Sequence, residues 1–158
     1  MFREMRRRRQ ALTHEECLEL LKTETRGVLS MLGDDGYPYG VPINHYYNEA
    51  DGRLYFHGGK VGHRVDAVKS CDKVSYCVFD KGYLKEGDWA LNVKSVIAFG
   101  RIRIVEDEQK AMELCRQLCY KFTDDENYIA AEIEHDGKRT LVMELEIEHM
   151  TGKLINEK

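Results

Sequence analysis

The residues with most scope for chemistry fall in one short run, Leu54-Tyr55-Phe56-His57-Gly58-Gly59-Lys60-Val61-Gly62-His63-Arg64. His57, Lys60, His63 and Arg64 can each carry positive charge, and Gly58, Gly59 and Gly62 are interleaved with them. Glycine lets backbone N–H groups approach a ligand closely, and a helix start adds unpaired donors and a partial positive charge. Leu54 to Phe56 predicts a strand. Gly62 to Ser70, with Val65 and Val68 on one face, predicts a helix. A strand, a glycine break and a helix start together suit a phosphate, as on a nucleotide-like cofactor. The same residues also fit an ordinary glycine-rich loop with solvated basic side chains. The spacing is neither that of a Walker loop nor that of a dinucleotide fingerprint, and no βαβ unit surrounds it.

Elsewhere the chain offers little machinery. It has no Ser/His/Asp set in usable order and no carboxylate pair that stands out, which disfavours hydrolysis. Cys17, Cys71, Cys77, Cys115 and Cys119 are odd in number and lack C-x-x-C spacing, so they read as reduced thiols. Cys115 and Cys119 share a helix face, but no third or fourth ligand lies near them in sequence, so no metal site is expected. Trp89, the only tryptophan, is expected in the core or at an interface. Tyr46 and Tyr47 are expected in a sheet, and Glu144, Glu146 and Glu148 on its solvated face.

The elements that must position these residues follow from pattern. Thr13-His14-Glu15-Glu16 fits a capping box opening a helix that ends near Glu24. Gly27 to Leu32, Tyr39 to Tyr47 and Arg53 to His57 read as strands joined by turns at Asp35-Gly36 and Asp51-Gly52, hence as an antiparallel meander. Pro42 cannot donate to a ladder, so its strand is expected to be bulged or at an edge there. Lys73 to Phe79 and Ala90 to Val105 are further strands. Ser95 to Phe99 is apolar on both parities, which predicts burial on both faces. Helices are expected over Glu106 to Lys121 and Tyr128 to Glu134, before a last half-buried strand with Leu141, Met143, Leu145 and Ile147 on one face. The set predicts an α+β domain around an antiparallel barrel.

The 158 residues, 42% hydrophobic and 33% charged, suffice for one domain over residues 1–158, in which residues 1–10 form a basic arm. Its arginines, Arg6 to Arg9 among them, are expected to be solvated, or to touch an anionic ligand or a partner subunit. A net charge of -4 argues against bulk nucleic-acid binding. No apolar run approaches the roughly 20 residues of a membrane span. The polar helix after the arginines is not the apolar core of a signal peptide, so a cytoplasmic location is expected.

In this order the motifs resemble a known family. Gly36-Tyr37-Pro38-Tyr39-Gly40-Val41-Pro42-Ile43, Leu54-Tyr55-Phe56-His57, Gly62-His63-Arg64, Lys94-Ser95-Val96-Ile97-Ala98-Phe99-Gly100 and Thr151-Gly152-Lys153 resemble the flavin-binding split-barrel proteins related to pyridoxamine 5′-phosphate oxidase. The branch is that of the nitroimidazole-resistance proteins. The resemblance implies an antiparallel split β-barrel with flanking helices, and a homodimer with FMN at the subunit interface. It implies a phosphate near Lys60, His63 and Arg64. Val41, Pro42, Ile43 and Asn44, with Phe56, His57 and Gly58, would line the ring and ribityl chain, and Ser95 and Val96 would lie along the interface beside them. Lys94 departs from the aromatic or small residue expected there. The activity implied is oxidoreduction of a small aromatic or nitro-heterocyclic substrate, with His57 the one candidate for a proton donor. Two alternatives stand beside it. One is a non-catalytic flavin- or haem-binding module, with His149 or His45 as axial ligand. The other is a pyridoxamine 5′-phosphate oxidase proper.

Overall fold

The computed structural model describes residues 1–156. Eight strands form one antiparallel sheet: β1 (Arg26–Leu32), β2 (Pro38–Asn44), β3 (Tyr46–Asn48), β4 (Arg53–Gly59), β5 (Lys73–Phe79), β6 (Tyr83–Leu84), β7 (Leu91–Ile104) and β8 (Thr140–Asn156). Their order is β2-β1-β5-β7-β8-β4-β3, with the short β6 paired to β7. Four helices flank the sheet: α1 (His14–Thr23), α2 (His63–Ser70), α3 (Glu108–Cys119) and α4 (Glu126–Asp136). The fold is α+β, an antiparallel split barrel.

One residue forces the roll. The expected strand from Tyr39 to Tyr47 breaks at His45. Its first half pairs with β1 and its second half with β4, at opposite ends of the sheet. A single residue therefore joins the two ends, and a flat sheet cannot accommodate that. The expected three-strand meander is corrected accordingly: β2 and β4 lie side by side across a seam but exchange no ladder. His45 is fully buried. Its Nε2 lies 2.7 Å from the Leu21 carbonyl and its Nδ1 2.8 Å from the Tyr76 hydroxyl. The first contact requires Nε2–H as donor, which leaves Nδ1 to accept from Tyr76. With neither ring nitrogen free, His45 is a corner pin and not an axial ligand.

The interior is apolar. Leu29, Leu54, Phe56, Tyr76, Val78, Val96, Ala98 and Leu145 meet inside, and Phe56 and Tyr76 touch edge to face across the barrel at 4.9 Å. The helices close both ends. α1 opens with the expected capping box and packs Cys17, Leu20 and Leu21 into the core. It meets the start of β7, where Lys94 pairs with Glu16, and the end of β8, where a side chain on Gly152 would strike the Cys17 sulfur. α2 inserts Val65, Ala67 and Val68 at the other mouth, beside the ends of β1 and β4.

Ser95 to Phe99 resolves into two faces. Val96 and Ala98 point inward and are fully buried, while Ile97 stays 38% exposed on the outer face. The outer face of β8 departs from the solvated stripe expected of Glu144, Glu146 and Glu148. α3 covers it, and Tyr55, Leu114 and Val142 form a second apolar cluster there. Glu144 is buried beneath α3 and is paired with Arg53, Arg103 and Lys110, whereas Glu146 and Glu148 are exposed. Three cations around one sunken carboxylate offset its loss of water. No helix among the described residues is long and apolar enough to cross a membrane.

Candidate functional site

The site is built where the seam meets α2. β2 is an edge strand, paired only with β1 in an unbroken register that runs from Arg26 opposite Asn44 to Leu32 opposite Pro38. Pro42 is therefore accommodated by an edge, with no bulge, as a residue without an N–H requires. Tyr39, Val41 and Ile43 turn inward against the core, while Gly40 and Pro42 are exposed on the outer side. The seam-facing backbone groups of Val41 to Asn44 have no ladder partner and can meet a ligand.

Across the seam, β4 ends at Gly58 and Gly59, and α2 begins after Gly62, whose φ of 117° favours glycine. Arg64 reaches back from the first turn of α2 and lies over Gly58. A methyl group on Gly58 would sit 2.7 Å from the Arg64 Cζ and closer still to Nη2, so only glycine leaves room for the guanidinium. The Arg64 Nε is fully buried and has no hydrogen-bond partner. Among the described residues no carboxylate pairs with Arg64. Buried donors are seldom left unmade, and an arginine fork fits a phosphate or carboxylate bidentately. His63 stands beside it, stacked on Tyr39 at 4.1 Å and 3.6 Å from the Asp34 carboxylate. An orphaned guanidinium donor, a glycine cradle and a strand edge without a second ladder together suit a phosphate or a carboxylate.

The basic residues of the run are parted by the alternation of β4. Phe56 and Gly58 face the barrel and the Arg64 side. His57 faces the opposite way, under α3 and α4, where it lines a cavity of about 330 Å³ with Cys115, Cys119 and Ile133. Lys60 lines an adjoining cavity of about 490 Å³. Burial, and then the nearby Arg64 charge, push the His57 imidazole below its ordinary value, so it is neutral at pH 7. Thus Val41 to Asn44, Phe56, Gly58, His63 and Arg64 come together at the seam, while His57 and Lys60 back onto it. Ser95 and Val96 lie on β7, separated from β2 by β1 and β5 in the sheet. Ser95 sits on the outer face opposite Phe79 and Lys153, and the Val96 side chain is in the core.

Two features were not anticipated. The loop between β5 and β7 is held by Asp80, which accepts from the Gly82 and Lys94 N–H groups, yet it exposes Tyr83, Leu84 and Trp89. Trp89, 74% exposed, is thus outside the core of this chain. The basic arm exposes Arg6 to Arg9, but its first residues fold back: Phe2 stacks on His149 at 4.6 Å and meets Phe99 at 5.5 Å. The lone aromatic in an arginine-rich arm was the available signal.

Comparisons with known proteins agree with this fold. The sequence model of the family described as pyridoxamine 5′-phosphate oxidase matches residues 13–154. No curated protein matches the chain. Among solved structures, a candidate 5-nitroimidazole antibiotic resistance protein from Bacteroides thetaiotaomicron is similar at 17% identity, with a TM-score of 0.77 over 92% of this chain and 87% of that one. An FAD-binding protein from Mesorhizobium loti is similar at 21% identity, with a TM-score of 0.68 over 92% and 97%. An FAD- and heme-binding protein from Mycobacterium smegmatis is similar at 21% identity, with a TM-score of 0.67 over 92% and 72%. At these identities the structural likenesses establish the fold.

Proposed function

The chain belongs to the pyridoxamine 5′-phosphate oxidase family, and from that premise we propose that it is a flavin-binding oxidoreductase whose cofactor is FMN. The observation that carries this reading is the Arg64 guanidinium, cradled by Gly58 with its buried Nε unpaired. One guanidinium with one neighbouring imidazole suits a single terminal phosphate, which favours FMN over a dinucleotide. His63 and Arg64 hold the phosphate, and the free edge of Val41 to Asn44 offers backbone groups to the polar rim of the ring. A bound flavin supplies the hydride and electron transfer, so the chain itself needs no nucleophile. What the chain supplies is position, a fixed positive charge at Arg64 and a neutral His57 on the far side of β4. The substrate class we assign is a small aromatic or nitro-heterocyclic compound, in line with the likeness to the Bacteroides protein.

The functional unit in this reading is a homodimer. The outer faces of β1, β5 and β7 carry small or apolar residues in register: Ser30 beside Ser75 beside Phe99, and Val28 beside Cys77 beside Ile97. The exposed Phe79, Tyr83, Leu84 and Trp89 continue that surface. Contiguous apolar surface of this kind usually marks a contact, and a two-fold axis would bury it against itself. It would also bring Ser95 of each protomer toward the other's seam.

The test is binding and turnover together. Purified protein titrated with FMN is expected to shift and quench flavin emission. Arg64→Ala is expected to weaken FMN by roughly ten- to a hundredfold, the worth of one charge-assisted contact of about 1.5–3 kcal/mol. Riboflavin, lacking the phosphate, is expected to bind both proteins nearly equally. Reduction of a nitroaromatic by a reduced nicotinamide tests the enzyme reading. Unchanged FMN affinity in Arg64→Ala would move the phosphate elsewhere.

A further inference from the structure

We infer that the space enclosed by α3, α4 and β8 is a second ligand site, which adjoins the seam at Gly58 and Gly59 but is not lined by His63 or Arg64, for a small molecule with an apolar body and one anionic group. It does not depend on the flavin reading. α3 and α4 pack on the outside of the barrel without filling the space beneath them. Two adjoining cavities remain, of about 490 Å³ and 330 Å³, and Cys115, Ile133, Gly137 and Thr140 line both. Either volume lies within the range of small-molecule sites.

The lining defines the occupant. The larger cavity is walled by Ala111, Met112, Ile133, Leu141 and Val142, which suit a flat or branched hydrocarbon body. Lys60 and Lys138 both line it. Among the described residues neither lysine has an ion-pair or hydrogen-bond partner. Two unpaired ammonium groups on one apolar cavity favour a carboxylate or sulfonate. Glu106 and Glu108 also line it. They hold the charge of the occupant to the lysine end and disfavour a second anionic group. Cys115 adds no further negative charge to the wall, because burial pushes its thiol up to about 11.

The position has a consequence for the seam. Lys60 follows Gly58 and Gly59, and His57 lines the smaller cavity. An occupant that draws on Lys60 therefore acts on the strand end that cradles Arg64. If both ligands bind, each changes the other's affinity by the same factor.

The probe is anilinonaphthalene sulfonate, an apolar body with one anionic group, titrated against the whole chain and followed by its fluorescence. Saturable binding at one site per chain is expected. Decanoate is expected to displace it at least tenfold more effectively than decanol. Lys138→Glu, a surface change, is expected to weaken the dye at least tenfold. Met112→Trp, which puts a large ring over the cavity from an exposed position, is expected to abolish saturable binding while circular dichroism stays unchanged. Trp89→Ser is the control for dye on the exposed loop and is expected to bind like the parent. Loss of binding in Trp89→Ser, or equal binding by the parent, Lys138→Glu and Met112→Trp, would overturn the inference. So would equal displacement by decanol and decanoate, which would remove the anionic requirement.

Discussion

Replacing Gly58 with alanine separates the position of the Arg64 charge from its presence. Gly58 lies in ordinary extended β4, with no positive φ, so an alanine adopts the backbone without strain. The added methyl meets only the far end of a flexible side chain: the three nearest atoms all belong to the Arg64 guanidinium, with Cζ at 2.7 Å and Nη1 at 3.1 Å. The guanidinium must swing away, and little else has to move. Its exit relieves a buried, unpaired Nε, so the melting temperature is expected to change by no more than a few degrees. FMN affinity is expected to fall by most of the Arg64→Ala effect, roughly ten- to a hundredfold. Because both changes remove the same contact, the double variant is expected to be no weaker than Arg64→Ala alone, a coupling about as large as either single effect. The assay is fluorescence quenching of FMN on the four proteins of the cycle, with riboflavin as the ligand that lacks the phosphate. Wild-type affinity in Gly58→Ala, or strictly additive losses in the double variant, would refute a phosphate held by this guanidinium in this place.

Two further outcomes follow from burial. Burial, aided by the Lys121 charge, lowers the His45 imidazole to about 4, whereas in the unfolded chain it titrates near its ordinary value of about 6.5. The unfolded state takes the proton first, so this stability is complete above about pH 6.5, falls as pH drops, and is lost by about pH 4, for a total of about 3 kcal/mol. Urea unfolding of wild type and His45→Gln over that window is expected to show the extra slope only in wild type; parallel curves would contradict the pinned neutral ring. On β7, Val96→Asp puts a charge at a fully buried position and is expected to unfold the chain, while Ile97→Asp alters the outer face and is expected to leave a folded protein with weakened self-association by light scattering. A folded, dimeric Ile97→Asp protein would remove the proposed contact surface.

The barrel was legible in the sequence because its strands are locally consistent. The capping box at Thr13 and the Asp-Gly turns each specify an element without outside help. The path of the sheet was not legible, because strand pairing is a choice among distant partners. Tyr39 to Tyr47 reads as one strand with an irregularity at Pro42, and nothing in it marks His45 as a break. The break is decided by Leu21 and Tyr76, which are distant in sequence and take both ring nitrogens. Glu144 failed for a related reason. Period-two alternation assigns it to solvent, and only the arrival of α3, with Lys110, converts that face into a second core.

The candidate site shows the same division between local and distant causes. The run from His57 to Arg64 holds the right residue types, but it gives no sign that the strand's own pleat will sort them. Because side chains alternate across β4, His57 and Gly58 must face opposite ways. Gly58 opens the barrel side to Arg64, and His57 is left beneath α3 and α4. A cluster of four basic residues in sequence is thus divided in space: His63 and Arg64 stand at the seam, while His57 and Lys60 line two different cavities behind it. The proposed phosphate goes with Arg64, the member of the four with a buried donor left unmade. In that proposal His57, which lines the cavity beneath α3 and α4, would give a proton to a substrate that enters from that side.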